Sequence, residues 1–317
     1  MMERYGWREQ AARTSSLLYL NDELDWSSAY VWPSHWLLSP GLSFLSHAGS
    51  FSVIGVGYSK DRVYASSNGL DWESDGTIEY KWGGVFNNEA VSFMGSPWLF
   101  AGEYIDYYFY EPEGDEYVSA TILLPDILKV ENGNWDAPIL YPAPWPLRTE
   151  SVGLAFAGKL WVIGGRTTLE APIDFAEFQP LNDAWYSEDG ETWIEATSSA
   201  SWCPRNGHAC VVFQDKLWLL GGHNGYRALN DVWVSHDGAT WSQVAAQAPW
   251  RGRSGHSAVV YQDKLWVIAG HNGSEALSDI WVYDPAAAEG EGEGEGEPAP
   301  QRYYHSADKD TDREISL

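Results

Sequence analysis

The chain has 317 residues, of which 44% are hydrophobic and 15% aromatic, enough apolar material for a large buried core. There are 45 Asp and Glu residues against 19 Lys and Arg, and the formal net charge of -26 disfavours nonspecific binding to nucleic acid or to an anionic membrane. No apolar run is long enough to span a bilayer, and the N-terminus lacks the basic and then apolar order of a secretory signal, so we expect no membrane insertion.

The N-terminal segment, residues 1–16, shows no helical or strand periodicity, and we expect it to be a poorly ordered leader. A repeating region follows over residues 17–285. It begins partway through a repeat, because the letters LDW at residues 24–26 return at residues 70–72. The chain is therefore expected to supply a late strand of a repeat before any early one.

The repeat is clearest in the C-terminal half of the chain. Trp218 and Trp266 lie 48 positions apart, and so do His208 and His256. Pairs of tryptophans 9 or 10 positions apart occur five times, and two small residues follow each pair in the same register. Glycine at such places permits neighbouring backbones to approach closely and to take unusual angles. The spacing thus predicts a set of packed structural repeats.

Each repeat reads as four strands. AVVYQDKLWVIAG predicts two apolar strands joined by a tight turn at residues 262–264, and SDIWVYDP predicts a third strand. A fourth strand is expected after the pattern S-x-D-G-x-T-W, which occurs at residues 187–193 and 235–241 and in a looser form at 66–72. The Asp of that pattern is expected to cap the turn through backbone N–H groups, which is a structural role.

A repeat of this length, with a Gly-Gly pair closing an apolar run and a Trp or Tyr in each later strand, resembles the kelch repeat of β-propellers. The resemblance implies an all-β, kelch-type β-propeller of five four-stranded blades. We expect an N-terminal strand near Trp26 to complete the last blade near Trp281; an incomplete sixth blade is the alternative. The S-x-D-G-x-T-W turn resembles the Asp box of sialidase-type propellers, shortened by one residue.

Two repeats carry insertions, and the two cysteines lie close together in sequence. The insertion at residues 103–125 is rich in Tyr and acidic residues, and a second one lies within residues 166–183. Loops of this length in a compact domain are often functional.

Cys203 and Cys210 are expected to be free, buried thiols, because two cysteines at this spacing do not make a disulfide framework.

The C-terminal region departs from the repeat. Residues 286–302 are rich in Gly and Glu and predict an extended acidic linker. Residues 303–317 are similar in part to the calcium loop of an EF-hand or dockerin, but Arg313 stands where Gly is required and the closing Glu is missing. We therefore expect no bound calcium and no cofactor. The tail suggests a longer parent protein, and the arrangement favours an extracellular or bacterial cell-surface location, although no signal peptide is seen.

One rim of the propeller is the candidate ligand site. Strands of a blade alternate in direction, so the loop before the first strand and the loop after the second lie on one edge. Ser39 and Val85 stand in place of Arg in the first two repeats, so the cationic arc is one-sided. The predicted rim consists of Arg148, Arg166, Trp202, Arg205, His208, His223, Asn224, Trp250, Arg253, His256, His271 and Asn272.

Guanidinium groups clustered in an acidic protein predict binding of a carboxylate or an acidic peptide, and tryptophan adds stacking against a sugar or peptide plane. Structural roles stay open for the same residues. In the kelch family the R-x-G-H stretch commonly packs between blades, arginines can form salt bridges between blades, and large aromatic residues are usually core.

Three functions remain open. A non-enzymatic scaffold that binds a protein, peptide or glycan is favoured, because repeat surfaces are binding faces. A sialidase-type glycan-cleaving enzyme would need a converging acid and nucleophile, and the spacing identifies no such pair. A copper enzyme similar to galactose oxidase would use the rim histidines as ligands. These histidines recur with the repeat, which favours an architectural role.

Overall fold

A computed structural model describes residues 16–20, 26–31, 43–47, 49–55, 61–67, 73–78, 89–100, 102–109, 117–123, 126–135, 139–168, 178–288 and 301–303. The chain divides into two compact units, one made of residues 1–149 and 168–177 and the other of residues 150–167 and 178–317. Across the described ranges, no helix is long and apolar enough to cross a membrane.

The described residues of the first unit form two hairpins and two four-stranded antiparallel sheets. Strands β1 (Ser16–Leu20) and β2 (Trp26–Val31) form the first hairpin. The first sheet has the order β3 (Ser43–His47), β4 (Ser50–Gly55), β5 (Asp61–Ser66) and β6 (Glu73–Ile78). The second sheet consists of β7 (Glu89–Phe93), β8 (Ser96–Phe100), β11 (Asp126–Lys129) and β12 (Ile139–Pro142). Between β8 and β11 the chain forms the second hairpin, made of β9 (Glu103–Phe109) and β10 (Tyr117–Leu123).

In the second unit, the part of the chain that the structure describes forms three further four-stranded antiparallel sheets. The first comprises β13 (Val152–Phe156) and β14 (Lys159–Ile163), then, after the short pair β15 (Arg166–Thr168) and β16 (Phe178–Pro180), β17 (Ala184–Ser187) and β18 (Trp193–Thr197). The next is β19 (Ala209–Phe213), β20 (Lys216–Leu220), β21 (Val232–Ser235) and β22 (Ser242–Ala245). The last is β23 (Ser257–Tyr261), β24 (Lys264–Ile268), β25 (Ile280–Tyr283) and β26 (Gln301–Tyr303), with helix α1 (Pro285–Ala288) between the last two strands.

The predicted strand pattern is confirmed in detail where the repeat is clearest. Strands β23 and β24 occupy the two apolar runs, and β25 occupies the third. Gln262 and Asp263 join the first two with φ values of 50° and 54°, as in the hairpin turn whose two central residues are both left-handed. The insertion at residues 103–125 holds the β9–β10 hairpin rather than an irregular loop.

Apolar faces of neighbouring sheets pack together in the second unit. One cluster joins the first two sheets through residues such as Trp161, Trp202 and Leu219. A second cluster joins the next two sheets through residues such as Trp218 and Trp281. The middle sheet of this unit is therefore buried on both faces, because β20 is a continuous apolar run in which Leu217 and Leu219 pack into one cluster and Trp218 and Leu220 into the other.

The prediction that the N-terminal strand completes the last blade is wrong. The strand that begins at Trp26 pairs with β1. The edge of β25 that this strand was expected to complete is paired with β26 instead. The backbone N–H and C=O groups of an edge strand need partners, and here a three-residue strand after the acidic segment supplies them. The final residues of the predicted linker therefore belong to a sheet. Residues 1–15, 289–300 and 304–317, which hold most of the predicted leader, most of the linker and the calcium-loop-like tail, lie outside the described residues.

In two sheets of the second unit, the glycine after the second strand, Gly164 or Gly221, faces the loop that leads into the next sheet. Gly221 has a φ of +57°, and a Cβ built there would lie 2.8 Å from the carbonyl oxygen of Arg253. Ala269 occupies the equivalent place in the last sheet with a φ of 58° and carries its Cβ there. Close approach of two sheets thus explains the glycine at position 221.

We expect Gly221→Ala to destabilise the protein by about 1–3 kcal/mol, because it adds left-handed strain and a backbone clash. The matched change, Ala269→Gly, is expected to be neutral or to stabilise by up to about 1 kcal/mol, since it relieves the strain. Chemical denaturation of both variants measures the difference. Equal stability of Gly221→Ala and wild type would contradict this account of sheet packing.

Candidate functional site

The repeated arginines of the second unit are buried inside their own sheets. Arg205 Nη1 and Nη2 donate to the two carboxylate oxygens of Asp231 at 2.7 and 2.8 Å, and Nη1 also donates to the carbonyl oxygen of Gly221 at 2.8 Å. Its Nε and Nη2 donate to the carbonyl oxygen and the sulfur of Cys203 at 3.1 and 3.3 Å. All five N–H donors of this guanidinium are therefore used within the protein.

Arg253 repeats the arrangement one sheet later. It donates to the two carboxylate oxygens of Asp279 at 2.9 and 3.0 Å and to the carbonyl oxygen of Ala269 at 2.8 Å. The side chains of Arg205 and Arg253 are both 0% exposed. Each ion pair joins two loops of one sheet, rather than two neighbouring sheets as expected. A ligand at the rim would not reach these guanidinium groups.

The histidines and tryptophans of the same motif are also buried. His208 and His256 are 5% and 7% exposed, and Trp202 and Trp250 are 1% exposed. Burial lowers the pKa of His208 to about 3, helped by the charges of Arg205 and His256, and burial with the charge of Arg253 lowers the pKa of His256 to about 3. Both imidazoles are neutral at pH 7, and none of their ring nitrogens has a hydrogen-bond partner among the described residues.

The other two predicted arginines differ from this pair. Arg148 is 3% exposed and lies over the ring of Trp145, with 5.8 Å between its Cζ and the ring centroid. The side chain of Arg166 is 24% exposed, pairs with Glu150 at 2.7 Å and stacks over Phe178 at 3.9 Å. Arg166 is thus the arginine of the predicted rim that solvent reaches most.

Backbone hydrogen bonds link successive sheets at the positions just before the histidines. Gly207 N donates to Glu150 O at 3.0 Å, and Gly255 N donates to Gly207 O at 2.8 Å. Glu150 takes the place of the two glycines in the third repeat and has a φ of 54°. Its carboxylate bonds both Arg166 and the side-chain amide of Asn206. Comparing the three copies of the motif in sequence would have singled out Glu150.

Two short loops present the exposed polar groups of this region. The rim loops are residues 223–227, after β20, and residues 271–275, after β24. His223 Nδ1 accepts the backbone N–H of Gly225 at 3.1 Å, and His271 Nδ1 accepts that of Gly273 at 2.9 Å. Because Nδ1 is an acceptor in both, the proton of each neutral ring lies on Nε2, which is a hydrogen-bond donor.

Each asparagine holds its rim loop in shape. Asn224 Oδ1 accepts the N–H groups of Tyr226 and Arg227 at 3.0 and 2.9 Å. Asn272 Oδ1 accepts those of Ser274 and Glu275 at 2.8 and 2.9 Å. The two loops therefore have preformed backbones, which lowers the entropic cost of binding.

Tyr226 is an exposed aromatic residue that was not among the rim residues predicted from the sequence. It is 94% exposed at the tip of the first rim loop. The only sequence signal was a departure from the repeat, since HNG is followed by Tyr-Arg in one loop and by Ser-Glu in the other. Exposed tyrosine next to arginine is typical of the residues that anchor protein interfaces.

The capping role predicted for the S-x-D-G-x-T-W turns is confirmed. Asp189 Oδ1 accepts the N–H groups of Glu191 and Thr192 at 2.8 and 2.6 Å, and Asp237 does the same for Ala239 and Thr240 at 2.9 and 2.7 Å. The backbone N–H of Thr192 is the main cause that lowers the pKa of Asp189 to about 2. Much of the looser copy at residues 66–72 lies outside the described residues.

The two cysteine thiols and the candidate copper ligands all lie within the described residues. Cys203 and Cys210 are both free, as predicted; Cys210 is buried but Cys203 is exposed. The four rim histidines do not come together as a ligand set, and no group of three or more His, Cys, Asp or Glu in the described ranges is arranged to hold a metal ion.

Comparisons with known proteins agree with this architecture. The family model described as the KLHDC2/KLHL20/DRC7 Kelch-repeats domain matches residues 114–314. The solved structure of YjhT is similar, with a TM-score of 0.58, 16% sequence identity, and coverage of 77% of this chain and 82% of that chain. At this identity the likeness concerns the fold alone. No curated protein matches the chain.

Proposed function

Because the chain belongs to the KLHDC2/KLHL20/DRC7 kelch-repeat family of β-propeller domains, we propose that it is a non-enzymatic scaffold that binds an acidic segment of a protein partner. Kelch propellers generally bind proteins. We further propose five blades, a count supported by the five four-stranded sheets of the described residues. The observation that carries the choice of surface is the contrast between buried motif residues and the exposed rim loops.

The proposed contact surface is narrower than the rim predicted from sequence. It consists of Arg166, His223, Asn224, Tyr226, His271 and Asn272. We propose that four buried residues hold the loops in place instead: Arg205 and Arg253 through their internal hydrogen bonds, and His208 and His256 through their packing. Arg148, Trp202 and Trp250 are buried in the same way.

The chemistry of this surface fits acceptor groups. His223 and His271 each offer an Nε2–H donor, and Arg166, which is 24% exposed, adds a guanidinium group whose charge is balanced in part by Glu150. Tyr226 supplies a rigid aromatic surface that costs little conformational entropy to fix. Carboxylates of Asp and Glu side chains, or a C-terminal carboxylate, are the groups that such donors bind best.

A peptide selection tests this proposal. The full chain is panned against a random peptide library, and enriched peptides are expected to be rich in Asp and Glu. Their affinity is expected to fall about tenfold or more for Tyr226→Ala and for His223→Ala, which is the size typical of an interface anchor. Gln243→Ala, an exposed change on the outer strand β22, is the matched control and is expected to leave affinity unchanged.

Two results would overturn the proposal. One is enrichment of basic or neutral peptides, and the other is unchanged affinity for both rim-loop variants while their thermal unfolding matches that of wild type. Selective binding to a glycan panel, with no peptide enriched, would replace the protein partner by a sugar.

A further inference from the structure

A polar cavity lies in the first unit, between its two four-stranded sheets. Its volume is about 480 Å³. The cavity opens where the β3–β4 and β7–β8 hairpin turns and the loop after β11 come together. A volume of this size is typical of a site for a small ligand or for one long side chain.

The lining is composed mainly of hydrogen-bond acceptors. Asp75 Oδ2 accepts the indole N–H of Trp135 at 2.9 Å, which fixes the carboxylate, and Oδ1 has no hydrogen-bond partner among the described residues. Glu131 Oε1 pairs with Lys129 at 2.8 Å, and its side chain is 47% exposed. Two carboxylates with one paired lysine leave the cavity with a net negative charge.

A buried hydroxyl also lines this cavity. Ser52 is 5% exposed, and its hydroxyl has no hydrogen-bond partner within the part of the chain that the structure describes. His47 lines the same wall, with its Nδ1 2.8 Å from the hydroxyl of Ser92, and that contact orients the ring. Because the Ser52 side chain lines the cavity, its hydroxyl is available to exchange a hydrogen bond with a group bound there.

We propose that this cavity binds a primary ammonium group, carried either by a free polyamine or by a lysine side chain of a partner. The acceptors Asp75, Glu131 and Ser52 come from three different elements, and all three line the cavity. A compact ammonium with three N–H donors fits such a set, whereas a planar guanidinium fork needs acceptors in one plane. The net charge of -26 also raises the local concentration of cations.

Isothermal titration calorimetry of the full chain tests the site. The probes are spermidine, 1,5-diaminopentane and Nα-acetyl-lysine amide, which keeps its side-chain ammonium group. We expect binding of amines, and a loss of about tenfold or more in affinity for Asp75→Asn, because a charge-assisted hydrogen bond is removed while the indole keeps an acceptor. Glu73→Gln is the matched control, since it changes the net charge equally on the same strand outside the cavity, and it is expected to have little effect.

The three probes distinguish the two possible sources of the ammonium group, a free polyamine and a lysine side chain of a partner. Stronger binding of spermidine indicates a free polyamine, and stronger binding of the lysine amide indicates a partner side chain. No amine binding at millimolar concentrations, equal losses for Asp75→Asn and Glu73→Gln, or binding of Ca²⁺ in place of amines would each overturn the proposal. Tyr226→Ala is expected to leave amine binding intact, so failure at this cavity is distinct from failure at the rim loops.

Discussion

Replacement of Arg205 by Leu is expected to lower the free energy of unfolding by about 3–5 kcal/mol, since it leaves Asp231 without its ion-pair partner in a largely buried place. Asp231 has a side chain that is only 13% exposed. The carbonyl oxygen of Gly221 and the sulfur of Cys203 lose their donors as well. Urea denaturation followed by tryptophan fluorescence measures the loss.

The matched control for this change is an exposed ion pair in the next repeat. Arg251 Nη1 lies 2.6 Å from Glu275, but the two side chains are 70% and 56% exposed. Arg251→Leu is expected to cost no more than about 1 kcal/mol, because solvent screens exposed pairs. If Arg205→Leu cost as little as Arg251→Leu, the architectural role of the buried guanidinium would be wrong.

Acidification is expected to destabilise the protein through its two buried histidines. The pKa values of His208 and His256 are lowered from 6.5 to about 3, so the unfolded chain takes up protons below pH 6.5 while the folded chain does not until pH is near 3. The stability that these groups contribute is therefore present above pH 6.5 and is lost as pH falls. Within this window, each histidine is expected to lower the free energy of unfolding by about 1.4 kcal/mol for every unit by which pH falls.

Single variants isolate the effect. His208→Gln and His256→Gln are each expected to flatten the dependence of unfolding free energy on pH by about 1.4 kcal/mol per unit between about pH 6 and 4. Burial raises the pKa of Glu89 to about 7, and this group opposes the histidines, because the folded chain then gains its proton first. Comparing the slopes of variants with wild type cancels that contribution.

The control for the pH experiment is an exposed histidine. His236 lies in the turn before Trp241 and is exposed. His236→Gln is expected to leave the slope unchanged. Identical slopes for wild type, His208→Gln and His256→Gln would show that the two imidazoles are not buried in the neutral form.

The repeat predicted the strands well, because alternating apolar residues and recurring glycines report directly on local geometry. Gln262 and Asp263 formed the expected turn, and the Asp189 turn is capped as expected. Position in the repeat does not report burial, however. A sequence motif places Arg205 near the rim but does not say whether its side chain points outward or toward Asp231.

A signal for the ion pairs was nevertheless present in the sequence. Asp231 and Asp279 each follow the motif arginine by 26 positions, so the Arg and the Asp recur together. Strand β26 gave no such signal, since three residues after a Gly/Glu segment are too few to show periodicity. Glu150 and Tyr226 were informative because they break the repeat, which is where a shared architecture leaves room for individual function.

Hydrogen–deuterium exchange with a selected acidic peptide tests the central claim most directly. The account predicts slower exchange on binding in the rim loops, residues 223–227 and 271–275, and unchanged exchange at the hairpin turns 214–215 and 262–263, at the other ends of strands β20 and β24. Protection of those hairpin turns with no change in either rim loop would contradict it.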